Sequence, residues 1–258
     1  MLTERSSRVV AAAKLHRHIG RRRAGRFLAE GPNLVEAALR GGVVKEVFVT
    51  ESAVERFAAL LADTEVPVLL VTERAAKALS DTVTPVGLVA VCELAPVTLD
   101  AVTNPRLVVV GAGISEPGNA GTLIRLAHAM GAAAVVLTAH SVDPYNAKCL
   151  RASAGSVFAL PVVVEDDVDA VIAALRAMGL AVFATTVDGE TTLDDAEPLL
   201  SAPTAWVFGG EARGLPADVA ALADRCVRIP MPGAAESLNV AAAAAICLYA
   251  TARAQRKP

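Results

Sequence analysis

Long apolar runs are missing from this chain of 258 residues. The longest, residues 240–250, falls well short of the ~20 residues that a helix needs to cross a bilayer. Apolar residues still make up 54% of the chain, much of it alanine, which signals close helix packing and not a membrane. The arginine-rich N-terminus has no continuous apolar core and no cleavage site, so no signal peptide is expected. Cysteines are few and scattered: Cys92, Cys149, Cys226 and Cys247 form no C-x-x-C pair. Reduced thiols in a cytoplasmic protein are the expectation. Several catalytic signatures are absent as well. There is no G-x-x-x-x-G-K-[ST], no H-E-x-x-H and no G-x-S-x-G, and His16, His18, His128 and His140 have no ligand-like spacing. An ordinary P-loop, a zinc hydrolase and a nucleophile-elbow hydrolase are therefore weakly supported, and no metal is expected.

Charge is present but uneven. The net charge is −3, yet residues 1–30 carry +6 and the remainder −9. The positive excess comes from Arg5, Arg8, Lys14, Arg17, Arg21, Arg22, Arg23 and Arg26. A basic arm on an acidic body suits phosphate binding, because neutralised phosphates release counterions. A solvated, partly frayed N-terminal helix accounts for the same charges equally well.

Periodicity predicts two α/β domains. From residue 26, helical spacing of Leu34, Val35, Ala38 and Leu39 is followed by strands at 47–49, 66–71 and 87–91, with helices at 54–61 and 72–79. Residues 1–95 read as a basic arm plus a small domain, and 96–105 as a linker rich in proline and threonine. From 106 onward strands at 107–111, 134–138, 161–164, 180–185, 204–208 and 226–229 alternate with helices near 119–131, 145–154, 168–178 and 238–253, and a short helix is possible around 217–223. Such alternation predicts a mainly parallel sheet covered on both faces.

Gly111-Ala112-Gly113 after the first of these strands invites a dinucleotide-binding reading. The third small residue of that fingerprint is replaced by Glu116, whose carboxylate would face a pyrophosphate, so an oxidoreductase is disfavoured. The following segment instead places Asn119 at or near a helix N-cap and Arg125 under two turns further along a helix of small and apolar residues. A lone arginine there is ordinarily a snorkelling side chain or half of a salt bridge. Three further stretches carry chemistry. One is a helix start with Lys148 and Arg151, for which Asp143 is a candidate cap. Another is the strand Trp206-Val207-Phe208 opening into Gly209-Gly210-Glu211. The last is Ile229-Pro230-Met231 leading to Glu236-Ser237-Leu238-Asn239 and an alanine-rich helix.

Taken in order, Asn119…Arg125, Phe208-Gly209-Gly210-Glu211-x-x-Gly214 and Ile229-Pro230-Met231…Ser237-Leu238-Asn239 resemble the three signature motifs of the SpoU (TrmH-type) family. These are RNA ribose 2′-O-methyltransferases of the SPOUT superfamily. The resemblance runs from about Arg106 to the last helix and includes Arg151-Ala152-Ser153-x-Gly155. The stretch Phe27-Leu28-Ala29-Glu30-Gly31-Pro32-Asn33 resembles the small ribosomal-protein-like substrate-binding domain that many members carry.

The resemblance implies an α/β fold whose methyltransferase domain, residues 106–258, is tied in a deep trefoil knot, which general folding rules would not suggest. It implies S-adenosyl-L-methionine as cofactor, on Gly209, Ile229 and Leu238 with Thr185, Phe208 and Met231 nearby. It implies a reaction centre of Asn119, Arg125, Glu211, Ser237 and Asn239, a homodimer, and structured RNA as substrate, ribosomal RNA first. Arg17, Arg21, Arg22, Arg23, Arg26, Lys148 and Arg151 become candidate RNA contacts. Two departures stand out: Gly210 replaces a larger polar residue, and Leu126 a small or hydroxylated one. A transfer-RNA methyltransferase and a catalytically inactive RNA-binding or ribosome-assembly factor of the same fold are the alternatives.

Overall fold

The computed structural model describes residues 1–62, 64–210 and 214–256. The chain divides into two compact units. The first comprises Met1–Pro96 together with Tyr145–Ala159, and the second Val97–Pro144 together with Leu160–Pro258. The helix carrying Lys148 and Arg151 thus packs with the N-terminal residues, although it lies within the stretch assigned to the second domain from sequence.

In the first unit, β1 (Arg26–Glu30), β2 (Val44–Thr50), β3 (Val68–Val71) and β4 (Leu88–Glu93) form one sheet in the order β1-β4-β2-β3. β4 runs antiparallel to β1 and β2, and β3 parallel to β2. Alternate side chains go to opposite faces of each strand. Leu28, Phe48, Val89 and Val91 meet Val9, Ala12 and Leu15 from the N-terminus and Ala75 and Leu79 from the Glu73–Leu79 helix. The opposite-parity residue Phe27 lies against Tyr145 and Phe158, with ring centroids 4.7 and 6.0 Å apart. This aromatic contact holds the Tyr145–Ala159 segment to the sheet. The basic N-terminus is therefore no frayed helix. Val9 is fully buried, and the Ser7–Ala13 and His18–Ala24 helices are separated by a single 3-10 turn. The helix expected over 54–61 is two short turns, Glu51–Val54 and Ala58–Leu61.

The second unit holds β5 (Leu107–Ala112), β6 (Ala134–Leu137), β7 (Val162–Val164), β8 (Ala181–Thr185), β9 (Thr191–Thr192), β10 (Thr204–Gly209) and β11 (Arg225–Arg228). They pair in the order β7-β6-β5-β10-β8-β11-β9, and every adjacent pair is parallel. Continuous apolar strands such as Leu107-Val108-Val109-Val110 are what a sheet buried on both faces requires. Val108, Val110, Val136, Val182 and Val207 pack with Val171, Ile172 and Leu175 of the Val168–Ala177 helix. On the other face, Trp206 is fully buried between Phe183 and Phe208 and donates its indole N–H to Thr251 Oγ1 at 2.8 Å. That bond satisfies a buried donor and fixes the Val240–Arg256 helix over β10. The chain runs outward from β5 to β7, returns to β8, and later fills the gap with β10. Among the described residues, no helix is long and apolar enough to cross a membrane.

Candidate active site

Parallel sheets bind ligands beyond the carboxyl ends of their strands, where the strand order reverses. In the second unit that edge carries a cleft of about 830 Å³ at the ends of β8, β10 and β11. Thr185, Gly209, Ile229, Met231, Ser237 and Leu238 all line it. Phe208 does not: it is fully buried, and its ring stacks toward Trp206 at 6.1 Å. Side chains alternate across the sheet, so the residue before Gly209 is turned into the core. Phe208 supports the cleft floor without facing it.

Close backbone approach shapes this floor. A Cβ on Gly209 would run into the Leu215 nitrogen and the Gly214 carbonyl carbon, and one on Gly210 into the Gly113 carbonyl oxygen. Gly210 also bridges Gly214. The glycine at 210 is therefore a local requirement here, since the turn after β5 lies directly on it.

The helix after β5 spans Pro117–Ala129. Its N-cap is Glu116, whose carboxylate accepts the Asn119 N–H at 2.8 Å. A carboxylate at that helix end complements the macrodipole and occupies the position a phosphate would take. Asn119 is thus in the first turn and not the cap. Its side-chain oxygen accepts from Asn239 Nδ2 at 3.2 Å. Asn239 in turn accepts the Ala241 N–H at 2.9 Å and starts the last helix. Two motifs 120 residues apart meet in this one amide pair. Because Glu236, Ser237, Leu238 and Val240 line the cleft, Asn239 ties its wall to the Pro117–Ala129 helix.

Arg125 is exposed on that helix and makes no hydrogen bond or ion pair among the described residues. Gly118, Gly121 and Thr122 lie seven, four and three positions before it, on the same face. Thr122 turns its hydroxyl back to the Gly118 carbonyl at 2.8 Å. A helical side chain covers the turn N-terminal to its own Cα, so Arg125 extends over small residues toward the end of β5. Glu211, the other expected member of this centre, lies outside the described residues.

Among the titratable cleft residues, Asp188, Glu190 and Cys226 were given no site role from sequence, and Glu236 appeared only as part of the last motif stretch. The first two sit on the turn directly after β8, and that position alone could have flagged them. Glu190 Oε1 accepts the Cys226 N–H at 3.2 Å, and Arg228 Nη1 donates to the Gly189 carbonyl at 2.7 Å. Partial burial, then Glu190 and Asp188, push the Cys226 thiol above its ordinary value. Burial alone pushes Cys92 and Cys247 up to about 12. Among the described residues, no group of three or more His, Cys, Asp or Glu side chains is arranged to hold a metal.

The basic candidates of the first unit divide. Arg17, Arg22, Arg23 and Arg26 are exposed. Arg21 is a correction: it is 4% exposed, and its guanidinium donates to the Leu15 and His16 carbonyls at 3.0 and 2.9 Å. Arg21 lies on the buried side of the short His18–Ala24 helix, where its charge closes the turn that precedes that helix. Arg151 pairs with Asp81 at 3.1 Å. Lys148 is exposed, and Asn146, not Asp143, caps its helix.

A wholly parallel, doubly covered sheet with a cleft at its carboxyl edge and a polar cluster beside it defines an α/β ligand-binding enzyme fold. The chain belongs to the SpoU rRNA Methylase family, whose profile matches residues 106–249. Residues 6–90 match the MRM3-like substrate binding domain. A relative in Bacillus subtilis strain 168, the 23S rRNA (guanosine(2553)-2′-O)-methyltransferase RlmP, is 35% identical over 92% of each chain. Among solved structures, the SpoU methyltransferase AviRb from Streptomyces viridochromogenes in complex with AdoMet is similar at a TM-score of 0.87. It is 30% identical, covering 96% of this chain and 98% of that one. The AdoMet-bound rRNA methyltransferase from Sinorhizobium meliloti is similar at a TM-score of 0.84, with 31% identity over 96% of this chain and 95% of that one.

Proposed function

We propose that this protein transfers a methyl group from S-adenosyl-L-methionine to a ribose 2′-hydroxyl of ribosomal RNA. The observation that carries the reading is the Asn119–Asn239 pair, which sets the first and third motifs beside a cleft of cofactor size. Similarity over nearly the full length to RlmP and AviRb favours ribosomal over transfer RNA. A structure concerned with 2-OH methylation of tRNA resembles only 58% of this chain.

The cleft suits the cofactor on its own chemistry. Ile229, Met231 and Leu238 offer an apolar slot for adenine, and the close-packed Gly209 leaves backbone groups open to its edge. Thr186 Oγ1, in the same wall, is buried without a hydrogen-bond partner of normal geometry, although it lies near enough to the Cys226 sulfur to favour a thiolate there. When bound, the cofactor supplies an electrophilic methyl group. The remaining task is to expose a ribose oxygen to it.

Arg125 is assigned to that task as an electrostatic group. A guanidinium is permanently protonated and has no acceptor, so it stabilises the developing alkoxide and an adjacent phosphate without removing a proton itself. Base action through Arg125 would require a neighbouring phosphate or carboxylate to take its proton first. Asn119 and Asn239 position the ribose and hold the helix in register, with Glu211 and Ser237 completing the centre. Arg17, Arg22, Arg23 and Arg26 serve as non-specific phosphate anchors. The protein acts as a homodimer in the cytoplasm. Ile246 and Tyr249, 40% and 54% exposed on the last helix, support the first part, and ribosomal RNA as substrate supports the second. A monomer by light scattering at micromolar concentration would overturn the dimer. Mapping 2′-O-methyl groups on ribosomal RNA with and without the protein tests the whole reading, since an unchanged map sinks it.

A further inference from the structure

The cleft wall carries a fixed charge, and the transfer reaction would alter the charge of the ligand beside it. Asp188, Glu190 and Glu236 line it, and no lysine, arginine or histidine does so among the described residues. Arg228 braces the turn between Asp188 and Glu190 through the Gly189 carbonyl, but it is not part of the lining. Burial first, then the nearby Glu190 and Asp188 carboxylates, push the Cys226 thiol above its ordinary value, as a wall lined by acids and no bases requires. Thr186, whose buried hydroxyl lies beside the Cys226 sulfur, lines the same wall.

S-adenosylmethionine has a sulfonium, an ammonium and a carboxylate, a net charge of +1. Methyl transfer forms the ribose O–CH3 bond and breaks the S–CH3 bond. The electron pair stays on sulfur and the hydroxyl proton leaves to solvent. The product, S-adenosylhomocysteine, is a neutral thioether of net charge zero. A ligand that loses a positive charge loses attraction to a fixed negative wall. Resting on the function proposed above, we infer that Asp188 and Glu190 are specificity residues that favour the charged methyl donor over its demethylated product and so promote product release.

Calorimetry on the full-length protein without RNA reads this directly. The wild type should bind S-adenosylmethionine more tightly than S-adenosylhomocysteine. Sinefungin, which carries an amine-bearing carbon in place of the sulfonium, should follow the donor. In the D188N/E190Q variant the donor-to-product affinity ratio should fall by about tenfold, and the wild-type ratio should shrink with added salt. Glu190→Gln keeps an oxygen for the Cys226 N–H, so the turn is preserved. A fold-independent readout comes from Cys226 itself. Its reaction with neutral iodoacetamide should quicken in the variant, since removing the carboxylates favours the thiolate, while Cys92, Cys149 and Cys247 stay buried. An unchanged affinity ratio in the variant overturns the inference even if both ligands bind well. Failure of the wild type to bind any of the three ligands overturns the proposed function, and the inference falls with it.

Discussion

The two units carry their functional residues in opposite ways. In the second, side chains far apart in sequence converge because parallel strands end on one edge, and backbone contacts fix their places. Asn119 meets Asn239, and Gly209 and Gly210 leave no room for a side chain. In the first unit the candidate residues are arginines and one lysine chosen by charge, and charge says nothing about direction. Arg22 and Arg23 are exposed, while their neighbour Arg21 is buried and bonded to backbone. A motif locates chemistry because it encodes backbone geometry. A charge run encodes only composition.

The largest test of this contrast is Arg125→Ala. If Arg125 is the uncommitted cation facing the reacting ribose, methyl transfer should fall by about a hundred- to a thousand-fold, the usual cost of removing one preorganised electrostatic group. Binding of S-adenosylmethionine should stay within about twofold, because Arg125 does not line the cleft. Normal turnover by the variant would reduce Arg125 to a solvated side chain and erase the difference between the units.

Gly209→Ala comes next. The added methyl meets the Leu215 backbone, which cannot rotate away as a side chain would. Overpacking of this kind costs about 1–3 kcal/mol. Cofactor affinity should drop about tenfold or more, with the first unit's protection in hydrogen exchange unaltered. Wild-type affinity in this variant would mean that the floor of the cleft is plastic.

Sequence patterns disclosed most of the second unit, because strands buried on both faces leave valine-rich runs that periodicity detects. They missed β9, whose two threonines carry no pattern, and they placed the helix start at Asn119 when Glu116 and Pro117 begin it. Asparagine and glutamate both accept backbone N–H groups, so spacing alone could not choose between them. The allegiance of Tyr145–Ala159 was also hidden. It depends on Phe27 packing against Tyr145 and Phe158 more than a hundred residues away, a tertiary fact with no local trace. Asp188 and Glu190 were overlooked because two acids on an exposed turn look like ordinary solvated charges until β8, β10 and β11 are in place.

The smaller tests separate Arg21 from its neighbours. Arg21→Ala leaves the Leu15 and His16 carbonyls without their charged donor, so the first unit should lose about 1–3 kcal/mol in denaturant unfolding. Its effect on RNA affinity should not change with salt. The R22A/R23A variant should behave in the reverse manner, with unfolding unchanged and RNA binding weakened. Each phosphate contact contributes roughly 0.7–0.9 to the slope of log affinity against log salt, so the double variant's slope should be shallower by about 1.5. That change is small beside the loss expected at Arg125, but its form is diagnostic. An arginine that touches phosphate alters the salt slope, whereas one that closes a turn alters only stability. If R22A/R23A left the slope untouched at low salt, these arginines would be solvated charge, and RNA recognition by the first unit would have to rest on other residues.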